Sequence, residues 1–411
     1  MQNLTDNANG CCGKKPDLKT DPKAGLTLSS SNVSLLSSMP DAPAACGSAG
    51  RHSHPMAGHE KPGYRICGYV DRFMDTAAGS VPIIKPNLSI TDLISTFFVR
   101  CGINRYSYTV TPGLYAIGKP DKNSEVLVTA NFKLTVDHLR KELTHVNAWI
   151  LILDTKGINV WCAASEGTFS TDELVRRIKI CNLDKIVDHK RLIVPQLGAT
   201  GVSARLVKKQ SGFTVIYGPI RAADIPVFLE SNHTADKSMR QVTFTLYERF
   251  ILTPVEIQIA LKPALITALI VFILSGFGPG IFCVSALWYR GVAGLLALAI
   301  GIVSGAFVTP VLLPFVPFRQ FAPKGILVGS ILALLLLFGM ASADPPYTQN
   351  AAGLTALFLF SVSISSFLAM NFTGTTPFTS PSGVELEMKR FIPVQLSALL
   401  ISSGLWIYSA F

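Results

Sequence analysis

The chain has 411 residues, 49% of them hydrophobic and 15% charged, and a formal net charge of +10. That balance is too apolar for an ordinary soluble protein. The cations lack interleaved aromatics, which argues against a nucleic-acid partner and leaves membrane lipid headgroups as the simplest use of the positive excess.

Residues 1–61 are rich in Ser, Ala, Asn, Pro, Gly and Lys and have no helical or strand period, which predicts a disordered tail. The tail carries the pair Cys11 and Cys12 and the group Cys46, His52, His54 and His59. Thiolate and imidazole suit soft metals, although the spacing fits no zinc template. Residues 1–12 are polar and lack the apolar run of a secretory signal.

From 62 to 240 the pattern alternates. Segments 93–98, 106–110 and 125–131 read as strands and 136–143 as a helix. The run 148–153 reads as a buried strand, 154–157 as a turn, and 158–161 as a returning strand. Ser170 and Glu173 form a capping-box signature before the apolar positions Leu174, Val175, Ile178 and Ile180. A strand at 192–194, a helix at 202–209, a strand at 213–217 and a helix at 222–229 complete the series. Such alternation predicts an α/β domain with a largely parallel sheet, whose ligands lie beyond the carboxyl ends of its strands.

The connection holding Cys162, the loop 195–201 and the segment 218–221 would then share one rim. Gly198 and Gly201 can let backbone approach a ligand, with amides of the next helix offered to an anion, or can serve only a tight turn. The loop does not match the dinucleotide fingerprint.

After a juxtamembrane linker at 241–262, no charge occurs at 263–289, 291–318, 325–343 or 391–411. With the apolar run 350–371, these stretches make five expected spans of about 20 residues each, an all-α transmembrane domain over 263–411. Arg249, Lys262, Arg319, Lys324, Lys389 and Arg390 fall on one side and Arg290 alone on the other, which predicts a cytoplasmic α/β domain. Spans with so few ionisable groups favour an anchor, or a route for a neutral product, over ion transport. In a reducing cytoplasm the eight cysteines are expected as thiols, with Cys101, Cys181 and Cys283 as small buried residues.

The string Asn159-Val160-Trp161-Cys162-Ala163-Ala164, continuing to Gly167, Thr168 and Phe169, resembles the signature of corrinoid proteins of the carbon monoxide dehydrogenase/acetyl-CoA synthase gamma-subunit family. The blocks 195–204 and 217–226 resemble later motifs of that family. The five expected spans, with Asn371-Phe372-Thr373-Gly374 and 379–385, resemble its mercury-methylating branch. In one place the pattern departs, because Ser165-Glu166 replaces Gly-Lys. Serine resists the positive φ that glycine allows there, and Glu166 reverses a charge.

The resemblance implies a Rossmann-like corrinoid-binding domain and a cobamide cofactor, with Cys162 as the lower axial ligand of cobalt. Asn159, through side-chain hydrogen bonds, and Trp161, by packing on the macrocycle or the core, would flank the sulfur. Val160, Ala163, Ala164, Gly167 and Thr168 would surround it, and Gln196, Gly198, Gly201, Gly218 and Pro219 would contribute from the later blocks. A thiolate trans to a methyl group raises its electron density, as transfer to Hg(II) requires. The implied partners are a methyl-folate-linked donor and a small iron–sulfur ferredoxin as reductant. A methyl carrier of one-carbon metabolism with another acceptor, or a corrinoid-binding protein without turnover, fits the same residues.

Overall fold

The computed structural model describes residues 67–342, 350–376, 379 and 381–411, so the cysteines and histidines singled out between 11 and 59 lie outside it. The first half forms β1 (Val70–Thr76), β2 (Gly79–Ile84), α1 (Ile90–Arg100), β3 (Gly113–Ile117), β4 (Val126–Ala130), α2 (Lys133–Glu142) and β5 (Ala148–Leu153). There follow α3 (Val160–Glu166), α4 (Thr171–Ile180), β6 (Arg191–Val194), α5 (Ala204–Ser211), β7 (Thr214–Tyr217) and α6 (Ile225–Glu230). The strands make one sheet in the order β1-β2-β3-β5-β4-β6-β7. Strands β4, β5, β6 and β7 run parallel, while β1 pairs antiparallel with β2 and β3 antiparallel with β5.

Strand β5 is apolar without interruption because both faces of the sheet are covered. Trp149, Leu151 and Leu153 pack with Ala163, Leu174 and Val207 on the side of α3, α4 and α5. Ala148, Ile150 and Ile152 pack with Val136, Leu139 and Phe228 on the side of α2 and α6. The result is a three-layer α/β domain.

Several expectations are corrected. The segment 93–98 is not a strand but the middle of α1. Ser89 and Asp92 form a full capping box there, and the cap outweighs the β-prone Ile and Phe residues. At 106–110 a 3-10 turn (Arg105–Ser107) and a lone bridge from Thr109 to Phe132 replace the strand. Strands β1, β2 and β3 have no counterpart among the expected elements. The capping box at Ser170 is only half made: its hydroxyl accepts from Glu173 N, but the Glu173 carboxylate accepts from Asp154 N and from Arg176 and Arg177.

The cysteine expectations also change. Cys67 is disulfide-bonded, since pairing depends on spatial approach that composition does not display. Cys101 and Cys181 are half-buried, and Cys283 is exposed because it lies in a loop, at the N-cap of a long helix.

A buried ionic cluster ties α1 to α2. Lys133 Nζ lies 2.7 Å from both Asp92 and Asp137, and Arg140 reaches Asp92 and Asp137 at 2.8 Å. Burial pushes the Asp92 carboxyl up, but the bond and charge of Lys133 and the bonds of Ser89 outweigh it, holding Asp92 well below the carboxylate range.

The second half is helical: α7 (Leu246–Leu274), α8 (Val284–Ile302), a π-helical turn, α9 (Thr309–Val311), α10 (Phe321–Ala341), α11 (Ala351–Asn371) and α12 (Pro381–Tyr408). A short hairpin of β8 (Phe277–Gly278) and β9 (Ile281–Phe282) joins α7 to α8. Among the described residues five helices are long and apolar enough to cross a membrane, α8 and α9 counting as one. Residues 246–262, expected as linker, are helical and run into the first of these spans.

Small residues let these helices approach. A Cβ on Gly325 would lie 2.7 Å from Ala369 Cβ and from Ser365 O. Ser365 Oγ donates to Gly325 O at 2.7 Å, and Ser361 Oγ to Ala297 O at 2.9 Å. Close approach and serine bonds of this kind are what holds helices together where lipid removes the hydrophobic drive.

Candidate functional site

The four parallel strands end on one rim. After β4 the chain steps to β5 on one side, and after β5 it crosses to β6 on the other side of β4. That reversal opens a crevice between β4 and β6, the place where open α/β sheets hold ligands. A cavity of about 320 Å³ occupies it. Its walls come from β4 (Leu127, Val128, Thr129), α2 (Thr135, His138, Leu139), the start of α3 (Asn159, Val160, Trp161), and the segments holding Pro195, Leu197, Gly218, Pro219 and Ile220.

The turn that brings α3 to this rim is built from one buried amide. Asn131 Oδ1, just past β4, accepts from Thr155 N at 3.0 Å, Thr155 Oγ1 at 2.8 Å and Gly157 N at 3.0 Å. Gly157 has φ +76°, and a Cβ there would lie 2.7 Å from Thr109 Cγ2, so this turn requires glycine.

The chain then enters a helix, which corrects the returning strand expected at 158–161. Asn159 is the N-cap, its Oδ1 accepting from Cys162 N at 3.0 Å. A good cap, the Ala-Ala pair and the C-cap Gly167 at φ +81° outweigh the β preference of Val160 and Trp161. Ser165 is helical, with its Oγ donating to Trp161 O at 3.2 Å, and the positive φ falls on Gly167. The replacement of glycine by serine therefore carries no backbone strain.

The residues picked from sequence separate into two sets. Asn159, Val160, Trp161, Gly218 and Pro219 line the cavity. Trp161 is 38% exposed, so it is not a core residue. Ala163 and Ala164 are buried against the sheet side of α3. Thr168 closes the helix, its N donating to Ala163 O at 2.9 Å. Gly198 and Gly201 make room for Phe169: a Cβ on Gly198 would lie 2.5 Å from Phe169 Cε1, and one on Gly201 2.1 Å from Phe169 O. They serve packing under α3. Gln196 Oε1 accepts from Arg240 Nη1.

Cys162 lies on the first turn of α3, exposed, and is not among the residues that line the cavity. Although the residue is exposed, the protein around its sulfur withdraws enough water to push the thiol up. Asn159 opposes that rise, Glu166 adds to it, and Arg105 opposes it. A metal taking this sulfur as thiolate must displace its proton, so binding would tighten as pH rises.

Sequence reasoning missed Asn131, His138, Arg100 and Arg105. A second cavity of about 200 Å³ shares Thr135, His138 and Asn159 with the first and is closed by Arg100, Arg105 and by Ile251, Leu252 and Val255 of α7. Arg100 Nη2 lies 3.0 Å from His138 Nε2. A guanidinium only donates, so Nε2 accepts and the ring is neutral. Burial and then the Arg100 charge push His138 below its ordinary value, in keeping with that state. No local motif marks these residues, which fall in two short stretches about 30 positions apart.

Residues 88–229, the segment that builds this rim, match the family model of the CO dehydrogenase/acetyl-CoA synthase delta subunit. Among curated proteins, the acetyl-CoA decarbonylase/synthase complex subunit gamma of Methanopyrus kandleri is 34% identical over 123 residues, 29% of this chain and 26% of the relative. The corrinoid/iron-sulfur protein large subunit of Moorella thermoacetica is 34% identical over 121 residues, 29% of this chain and 27% of the relative. The gamma subunit of Methanocaldococcus jannaschii is 31% identical over 155 residues, 36% of this chain and 31% of the relative. The chain thus spans about a quarter to a third of the length of these relatives.

Proposed function

We propose that this chain is a corrinoid-dependent methyl-transfer protein of the mercury-methylating (HgcA) type, held in a membrane by its five apolar helices with the α/β domain on the cytoplasmic side. The observation that carries this reading is a coincidence of place. The segment matched by the family model contains both the switch-point cavity and Cys162 on the turn beside it. The cytoplasmic placement rests on the bias of Lys and Arg among the inter-span segments.

The residues present fit such a cofactor. The cavity is walled mainly by apolar side chains, with the exposed Trp161 at its edge for stacking. Among the described residues no group of three or more His, Cys, Asp or Glu is placed to hold a bare metal ion. Cys162 would supply a single protein sulfur, a ligand that suits a soft metal arriving within a macrocycle. Once bound, a corrinoid supplies a cobalt centre that accepts and gives up a methyl group.

The chain's own residues position and shield. Cys162 would give its sulfur to cobalt after losing its proton, and Asn159 holds the turn that carries it. Trp161 and Pro219 would exclude water from one face. A methyl-folate-linked donor and a small iron–sulfur ferredoxin would serve as methyl source and reductant.

A second reading keeps the methyl carrier and changes the acceptor to one of folate or acetyl-CoA metabolism. The names of the relatives favour it, as does Glu166 where the resembled signature has Lys. The deciding experiment loads the purified full chain in nanodiscs with methylcobamide and offers Hg(II)–thiolate. Methylmercury formation that is lost in Cys162→Ala supports the first reading. Cobamide uptake with methyl transfer only to a non-mercury acceptor supports the second, and no cobamide uptake overturns both.

A further inference from the structure

Helix α1 is amphipathic in the reverse sense. Ile90, Leu93, Ile94, Phe97 and Phe98 are exposed, at 76%, 56%, 52%, 64% and 46%. Their i, i+3, i+4, i+7, i+8 spacing spreads them over an arc of about 140° at 100° per residue. The buried residues Asp92 and Val99 lie on the opposite side. An apolar helix face normally turns inward, so something holds this one outward. The ionic cluster does so: Asp92 is clamped by Lys133 and Arg140 inside the domain, which forces the hydrophobic arc toward the surroundings.

The same helix ends beside the first long apolar helix. A Cβ on Gly102, two residues past α1, would lie 2.7 Å from Gln258 Oε1 of α7. Gln258 precedes the charge-free run beginning at 263 by five residues, a rise of about 8 Å. Beyond α1, Ile103, at 48%, and Ile259, Leu261, Leu265 and Ile266 of α7 are exposed apolar residues as well. Tyr106, 85% exposed, and the exposed Lys262 are of the aromatic and cationic types that anchor proteins at the headgroup level.

We infer that α1 is an interfacial helix whose Ile90–Leu93–Ile94–Phe97–Phe98 face lies in the headgroup and upper acyl region of the bilayer, fixing the α/β domain against the membrane surface. The inference rests on reading the five long helices as membrane spans. It gives the domain two attachments, one through the stem of α7 and one through α1, so that the rim of the site keeps a set height above the lipid.

The test places the photoreactive p-benzoylphenylalanine singly at positions 97, 265 and 230 of the full chain in phosphatidylglycerol/phosphatidylethanolamine nanodiscs, with adducts read by mass spectrometry. The expected result is a mass shift of one lipid at 97 and at 265 and none at 230. If 265 takes lipid and 97 takes none, or joins a second copy of the chain, the interfacial helix is refuted and the spans stand. If 265 takes no lipid either, the membrane reading fails and this inference falls with it. Position 94 repeats the test should the variant at 97 not fold.

Discussion

Asn159 Oδ1 accepts the amide of Cys162 at 3.0 Å, so the residue that opens α3 also fixes the turn that carries the sulfur. The Asn159 side chain also favours the thiolate, which only its amide N–H can do by donating to the sulfur. Asn159→Ala is expected to cost about 1 kcal/mol, as lost caps do, seen as a lower denaturation midpoint of the full chain. It should also slow alkylation of Cys162 at neutral pH, whereas Asn159→Asp should restore the midpoint.

Glu166 pushes the Cys162 thiol up. Charge reversal by Glu166→Lys should move the alkylation midpoint of Cys162 to lower pH and speed its reaction at pH 7 by about three- to tenfold, the size expected of a solvent-screened charge. Peptide mass spectrometry resolves Cys162 from the other cysteines. An unchanged midpoint would mean that Glu166 does not act on the sulfur.

Asp92 sits among Lys133, Arg140 and Ser89 with its carboxyl held below the ordinary range. A depressed folded value contributes stability that is fully present above the unfolded value of about 4 and is lost as pH falls through the folded value. Asp92→Asn leaves buried cations short of a partner and should cost about 3–5 kcal/mol near neutral pH. The variant's stability should fall less steeply than wild type between about pH 4 and pH 2. Thermal midpoints across that range provide the check.

Trp161 is partly exposed at the edge of the cavity, so its removal should leave the fold intact. Trp161→Ala is expected to weaken cobamide retention about tenfold, the loss of one stacked aromatic contact. Titration of the apoprotein measures it, with an unchanged melting curve as the control. Equal retention would remove Trp161 from the binding surface.

Gly325 has no room for a side chain between α10 and α11. Gly325→Leu should part the two helices, and the purified protein should lose its single gel-filtration peak in detergent. Gly339, with nothing within 4 Å of a built Cβ, is the matched control, and Gly339→Leu should behave as wild type.

The parts legible in the sequence are those whose signal is local and repeated. The apolar runs that became β4, β5, β6 and β7 marked the parallel strands, and the charge-free stretches marked the five long helices. The rim followed from that alternation. The segment 93–98 has a strand's composition, and the signals that mark it as helix α1 are the i, i+3, i+4, i+7, i+8 spacing of Ile90, Leu93, Ile94, Phe97 and Phe98 and the Ser89–Asp92 cap. At 158–161 the β-prone Val and Trp hid an Asn cap. Asn131, and the pair Arg100 and His138, act across gaps of 24 to 38 positions, where no periodicity reaches.

The smaller chamber next to Asn159 owes one wall to Ile251, Leu252 and Val255 of α7. A fragment cut before Leu246 would lose that wall and leave His138 and Arg100 facing bulk water. Assays on a clipped α/β fragment would therefore sample a remodelled vestibule, and solubility gained by trimming would come at the expense of the native architecture beside Asn159.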